Sequence, residues 1–118
     1  MTVSEFLTEA FSRCNVVKNS YFYTFGSTEL DYASFRNIAG DGDHIVAIDD
    51  WFDVVLTPGA CEGAYIEIYM WQEKNHETTR SCVGTIKTLQ TSLSAYQDLG
   101  RLCGEMMYHL QHINIHGK

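Results

Sequence analysis

Eight carboxylates, Asp41, Asp43, Asp49, Asp50, Asp53, Glu62, Glu67 and Glu73, fall between residues 37 and 73, a stretch without a single lysine or arginine. Interleaved with them are Trp51, Phe52, Tyr65, Tyr69 and Trp71, which include both tryptophans of the chain. Carboxylates set among rigid aromatic rings are the chemistry of a surface that binds cationic groups, because the rings anchor a partner while the charges steer it. A row of carboxylates also imitates a row of phosphates and competes for the lysines and arginines of a nucleic-acid-binding protein. Without these eight, the remaining seven of the chain's 15 acids nearly balance its 8 bases, so the net charge of −7 is a local property.

Other candidate chemistries are less well supported. Asp41, Asp43 and His44, with Asp50 nearby, offer ligand types that divalent cations accept. An EF-hand loop would place a bidentate Glu at its twelfth position, and counted from Asp41 that position is Phe52. Asp-Gly-Asp between strands reads instead as a turn. His109, His112 and His116 are 3 and 4 residues apart and share one face of a helix. At the end of a helix, however, histidine charge also simply complements the dipole. Cys61 lies in a loop between Gly59 and Gly63 with Glu62 beside it, and a reactive thiolate needs a base or cation instead. G-x-S-x-G, a phosphate-binding glycine loop and H-E-x-x-H are all absent. No catalytic residue, cofactor or metal ligand is therefore assigned, and a non-enzymatic interaction protein is expected. The alternative is a small ligand- or metal-binding protein, or an enzyme, built on Asp41, Asp43, His44, Asp50 and the C-terminal histidines.

A chain of 118 residues, 45% hydrophobic and 13% aromatic with one proline, has the length and composition of a single packed domain spanning 1–118. Its acidity, with a pI near 5.0, argues against direct contact with nucleic acid or an anionic membrane, where cations must displace counterions from phosphates. Cys14, Cys61, Cys82 and Cys103 are widely spaced without a C-x-x-C pair, which suits reduced thiols in a cytoplasmic protein. Glu5 and Glu9 interrupt any signal-peptide layout, and no apolar run reaches the ~18 residues of a membrane span.

The elements that must position the acidic and aromatic residues follow from periodicity. Thr2 and Glu5 have capping-box spacing, and Val3, Phe6, Leu7, Ala10, Phe11 and Cys14 recur at helical intervals, so a helix is expected from residue 3. Residues 21–25 read as a short aromatic strand with a hairpin partner following it, and 29–38 lean towards strand. Between 44 and 57 the period is two, with Val46, Ile48, Phe52, Val54 and Leu56 on the core side and an interruption expected at Asp49 and Asp50. Residues 64–73 alternate most regularly, Ala64, Ile66, Ile68 and Met70 against Tyr65, Glu67, Tyr69, Trp71 and Glu73. A hairpin between these two strands pairs odd residues with odd, so that Asp53 lies beside Glu67 or Tyr69 and Trp51 beside Tyr69 or Trp71.

Residues 75–78 are expected to turn and 82–89 to form a further strand. A long helix begins near Ser92, with Tyr96, Leu99, Cys103, Met106, Leu110 and Ile113 as its apolar stripe. Gly100 and Gly104 within it suggest a close backbone approach, from tight internal packing or from a homodimer seam. The sum is an α+β fold: an antiparallel sheet of about four to six strands, flanked on its aliphatic side by an N-terminal helix and a long C-terminal helix. Asp49, Trp51, Asp53, Tyr65, Glu67, Tyr69, Trp71 and Glu73 are expected on the opposite face, presented to a basic protein partner.

Overall fold

The computed structural model describes residues 2–17, 21–29, 52–57, 63–74 and 77–112, with the backbone alone at 72–74, 78 and 111. Helix α1 (Val3–Ser12) starts where the sequence places it, with Thr2 extended as N-cap and its Oγ1 accepting from the Glu5 N–H at 3.1 Å. Val3, Phe6, Leu7, Ala10, Phe11 and Cys14 are all buried on one side. The Val3 N–H donates to the Thr28 carbonyl at 2.9 Å, tying the start of the helix to the chain that leaves the first strand.

Among the described residues four strands form one antiparallel sheet: β1 (Tyr21–Phe25), β2 (Phe52–Thr57), β3 (Tyr65–Lys74) and β4 (Glu77–Thr88), in the order β1-β4-β3-β2. β1 pairs with β4, from Tyr21 opposite Thr88 to Phe25 opposite Gly84, and the hairpin partner expected after β1 lies outside the described residues. The absence of a side chain at Gly84 makes this possible. A Cβ there would lie 2.6 Å from Phe25 Cδ1 and 3.2 Å from Leu7 Cδ1, so glycine lets a strand residue and a helix residue meet over β4. Phe11 completes the contact, 4.9 Å from the Tyr23 ring and 6.4 Å from that of Phe25.

β3 and β4 form a long hairpin in which the register shifts once: Ile68 faces Gly84, but Tyr69 faces Cys82. The extra residue is Val83, whose side chain packs against the core and whose carbonyl accepts from the Gly26 N–H. Strict alternation from Ile86 would carry Cys82 and Arg80 to the core side. The bulge reverses the alternation and turns both outward. β4 begins at Glu77, five residues before the sequence expectation, because its polar first half, residues 77–82, pairs with residues 69–74 of β3.

Helix α2 (Leu93–His112) opens with Ser92 Oγ accepting from the Ala95 N–H at 3.3 Å. Its buried stripe is Ala95, Leu99, Leu102, Met106 and Leu110, whereas Cys103 is half-buried and Tyr96 is 38% exposed. The expected stripe was therefore offset: Leu102 takes the central place given to Cys103. Ile66, Ile68, Met70 and Ile86 from the sheet meet these residues and those of α1 in one core, and Phe6 stacks on Phe52 at 5.6 Å to join α1 to β2. Both helices thus cover the aliphatic side of a four-stranded sheet, as the α+β expectation has it. A Cβ at Gly100 would make ordinary contact with Leu56 Cδ2 at 3.8 Å, and one at Gly104 would meet nothing within 4 Å. The close backbone approach expected at these glycines is not found among the described residues.

Polar ties fix the helices to the sheet and to each other. Tyr21 Oη donates to Asp98 Oδ2, and the Asn15 N–H donates to Glu105 Oε2 at 2.7 Å. Arg101 Nη2 lies 3.6 Å from Asp98 Oδ1, which accepts no hydrogen bond among the described residues. Gly63 adopts φ +84°, and the Ala64 carbonyl accepts from Thr88 N–H at 3.1 Å beside it. No helix among the described residues is long and apolar enough to cross a membrane.

Candidate protein interface

On the side of the sheet away from the helices, the register brings several of the predicted site residues together. Asp53 lies opposite Tyr69, Val55 opposite Glu67 and Thr57 opposite Tyr65. Pairing of odd with odd residues holds over residues 52–57, because Phe52, Val54 and Leu56 turn their side chains to the core with Met70, Ile68 and Ile66. Tyr65, Glu67, Tyr69 and Trp71 follow one another along β3, each half-exposed. Asp49, Trp51, Asp41, Asp43, His44, Asp50, Cys61 and His116 lie outside the described residues, as do the expected strand at 29–38 beyond Glu29 and the interruption at Asp49 and Asp50. Glu73 belongs to β3 opposite Thr78, with only its backbone described.

A polar network organises the centre of this face. Asp53 Oδ2 accepts from Trp71 Nε1 at 3.2 Å and from Arg80 Nη1 at 3.0 Å. The Arg80 guanidinium carbon sits 4.3 Å from the centroid of the Tyr69 ring and 5.7 Å from that of Trp71. One carboxylate on β2 therefore reaches across β3 to a cation on β4, with two aromatic rings beneath the bridge. The rings contribute quadrupolar attraction and the carboxylate a charge-assisted hydrogen bond. Alongside, the Tyr69 hydroxyl hydrogen-bonds to the Glu67 carboxylate two residues back, which holds the phenol above its usual titration range; partial burial and the Glu67 and Cys82 charges act in the same direction, and Arg80 opposes them.

Arg80 is the residue that sequence reasoning missed. Residues 77–81 are polar and lack the aliphatic alternation that marks a strand, so the strand expected at 82–89 does not include Arg80. A signal was present in the length of β3, since a hairpin with ten residues in one arm needs a comparable run in the other. Lys87, opposite Tyr65, is a second cation that β4 adds to this side. The face is consequently not uniformly acidic: carboxylates and aromatic rings lie on β2 and β3, while the cations line β4. Phe22 and Thr24 of β1 extend the face beyond them, at the register positions of Lys87 and Thr85.

The remaining candidates are separate from this patch. His109 and His112 occupy the last turn of α2, where the His112 ring stacks on Tyr108 at 4.3 Å and its Nδ1 lies 2.7 Å from the Tyr108 carbonyl oxygen. Among the described residues no three His, Cys, Asp or Glu side chains come together as a metal site. Cys82 and Cys103 are free thiols, and burial pushes the Cys103 thiol up, away from the reactive thiolate.

These features define an α+β protein with helices on one side of an open antiparallel sheet and an acid-aromatic patch on the other. Comparison with protein-family models, with curated proteins and with solved structures finds no match to this chain.

Proposed function

We propose that the chain is a non-enzymatic interaction module that presents the β2–β3 side of its outer sheet face to a basic protein partner, acting as an inhibitor of that partner. The observation that carries this reading is the placement of Asp53, Glu67, Tyr65, Tyr69 and Trp71 side by side on the face that the helices leave uncovered. Half-exposed tyrosine and tryptophan lose little conformational entropy on burial, which suits them to anchor a partner. The acids of residues 37–73 add the long-range field that attracts a cation-rich surface and speeds encounter. Because Arg80 and Lys87 interrupt the carboxylates, the support is stronger for recognition of individual basic side chains than for imitation of a continuous row of phosphates.

The test is capture from the source cell's lysate by the native chain and by a variant with Lys at Asp49, Asp53, Glu67 and Glu73, at low and at physiological salt. Circular dichroism establishes that the variant folds. A basic protein captured by the native chain, weakened by salt and lost with the folded variant is the expected result. Capture that the charge reversal leaves unchanged would overturn the reading.

A further inference from the structure

A planar cation already occupies the centre of the patch. Arg80 places its guanidinium over the Tyr69 ring at 4.3 Å and near the Trp71 ring at 5.7 Å, with Nη1 donating to Asp53 Oδ2 at 3.0 Å. Ring faces below and a carboxylate at the edge are the two means by which proteins hold arginine, stacking and charge-assisted hydrogen bonding. The cage formed by Asp53, Tyr69 and Trp71 is thus complementary to a guanidinium group, and the chain fills it with its own.

This internal occupant is held loosely. The Arg80 and Asp53 side chains remain 42% and 36% exposed, so their ion pair is screened by water and salt. The cage has its own support when Arg80 swings out, because Trp71 Nε1 donates to the same Asp53 Oδ2 at 3.2 Å and fixes carboxylate and indole relative to each other. A site that is preorganised without its occupant, and whose occupant leaves readily, is suited to exchange one guanidinium for another.

We propose that the Asp53–Tyr69–Trp71 cage is an arginine-recognition site, filled by Arg80 in the free protein and vacated for an arginine side chain of the partner. The inference rests on the interface reading above and deepens it by naming the group that is recognised. Lysine is a poorer guest, since its compact, strongly hydrated ammonium has no plane to lie on the rings and no fork of donors. Competition by Arg80 weakens the guest in proportion to the time the cage is closed. An exposed ion pair together with an exposed cation–π contact makes that factor about three- to thirtyfold.

The experiment titrates the full chain and its Arg80→Ala and Arg80→Gln variants with a blocked short peptide carrying one arginine among glycines and serines. Counterparts carry lysine or the neutral isostere citrulline. The readout is the Trp71 indole N–H resonance, assigned with Trp71→Phe. Both Arg80 variants are expected to bind the arginine peptide about three- to thirtyfold more tightly than the native chain. Lysine and citrulline peptides should gain less, and adding Asp53→Asn should abolish the gain. Equal gains for arginine and lysine peptides would overturn the proposal, because they would reflect only the removal of a positive charge. So would an unmoved Trp71 resonance in the folded Arg80 variants. A partner whose capture depends on the acidic residues but is indifferent to Arg80→Ala and to excess arginine peptide would sink the cage and leave the interface standing. Capture indifferent to the charge reversal sinks the interface reading itself.

Discussion

Asp53 on β2 and Arg80 on β4 are joined by a 3.0 Å hydrogen bond although the two strands are not neighbours, since β3 runs between them. The bridge passes over Tyr69, which lies opposite Asp53 in one direction and opposite Cys82 in the other. Its existence depends on the bulge at Val83, which turns Arg80 to the outer face. The centre of the patch is therefore a product of sheet register and not of sequence proximity.

A double-mutant cycle on Asp53→Asn and Arg80→Gln should give a coupling of only about 0.2–1 kcal/mol, because both side chains are more than a third exposed. Urea denaturation at low and high salt measures it. The coupling should shrink as salt rises, and a salt-independent value of several kcal/mol would contradict the exposed bridge.

Two glycines, Gly63 just before β3 and Gly84 within β4, should resist substitution for different reasons. Gly63 has φ +84° and a Cβ there would lie 1.9 Å from the Thr88 carbonyl oxygen, so Gly63→Ala should destabilise by more than about 2 kcal/mol. Gly84→Ala would meet Phe25 Cδ1 at 2.6 Å, the end of a side chain that can shift, so a loss of about 1–3 kcal/mol is expected. Chemical denaturation of the two variants should rank them in that order.

In α2 the expectation has the opposite sign. Gly104 is exposed and a Cβ there meets nothing within 4 Å, so Gly104→Ala should stabilise the chain by about 0.8–1 kcal/mol through helix propensity alone. A raised melting temperature with unchanged mass by sedimentation is the expected outcome. Destabilisation would mean that another surface packs against this glycine.

The Tyr69 phenol should titrate above its usual value of 10.0, chiefly because its hydroxyl is bonded to the Glu67 carboxylate. A group whose pKa is raised on folding adds stability that is fully present below the unfolded value and is lost as pH rises through the folded one. The contribution of the Tyr69–Glu67 pair should thus persist through neutral pH and disappear only in alkali, above pH 10. Phenolate absorbance, compared between the native chain, Tyr69→Phe and Glu67→Gln, checks this. Glu67→Gln should bring the Tyr69 titration back down, and an unshifted titration would remove the bond from the account.

The sequence by itself determined the elements whose signals are local. Thr2 and Glu5 mark the start of α1, and the alternation of Ile66, Ile68 and Met70 with Tyr65, Glu67, Tyr69 and Trp71 assigns each residue of β3 to a face. The same alternation in 52–57 fixed the parity of the β2–β3 hairpin and so brought Asp53 beside Tyr69. These readings succeed because helix and strand periods are properties of adjacent residues, which water and core sort without reference to the rest of the chain.

Only the tertiary structure decided which strand neighbours β1, where β4 begins and which way Arg80 points. β1 docks on β4 because Gly84 leaves room for Phe25 and Leu7, a fit between residues far apart in sequence. Arg80 reaches the acid-aromatic patch because one extra residue at Val83 inverts a parity that strict alternation would have set the other way. On α2 it is likewise the packed core that buries Leu102 and leaves Cys103 at its margin. Such outcomes depend on the volumes and hydrogen-bond partners that distant segments offer each other, and no periodicity along the chain encodes them.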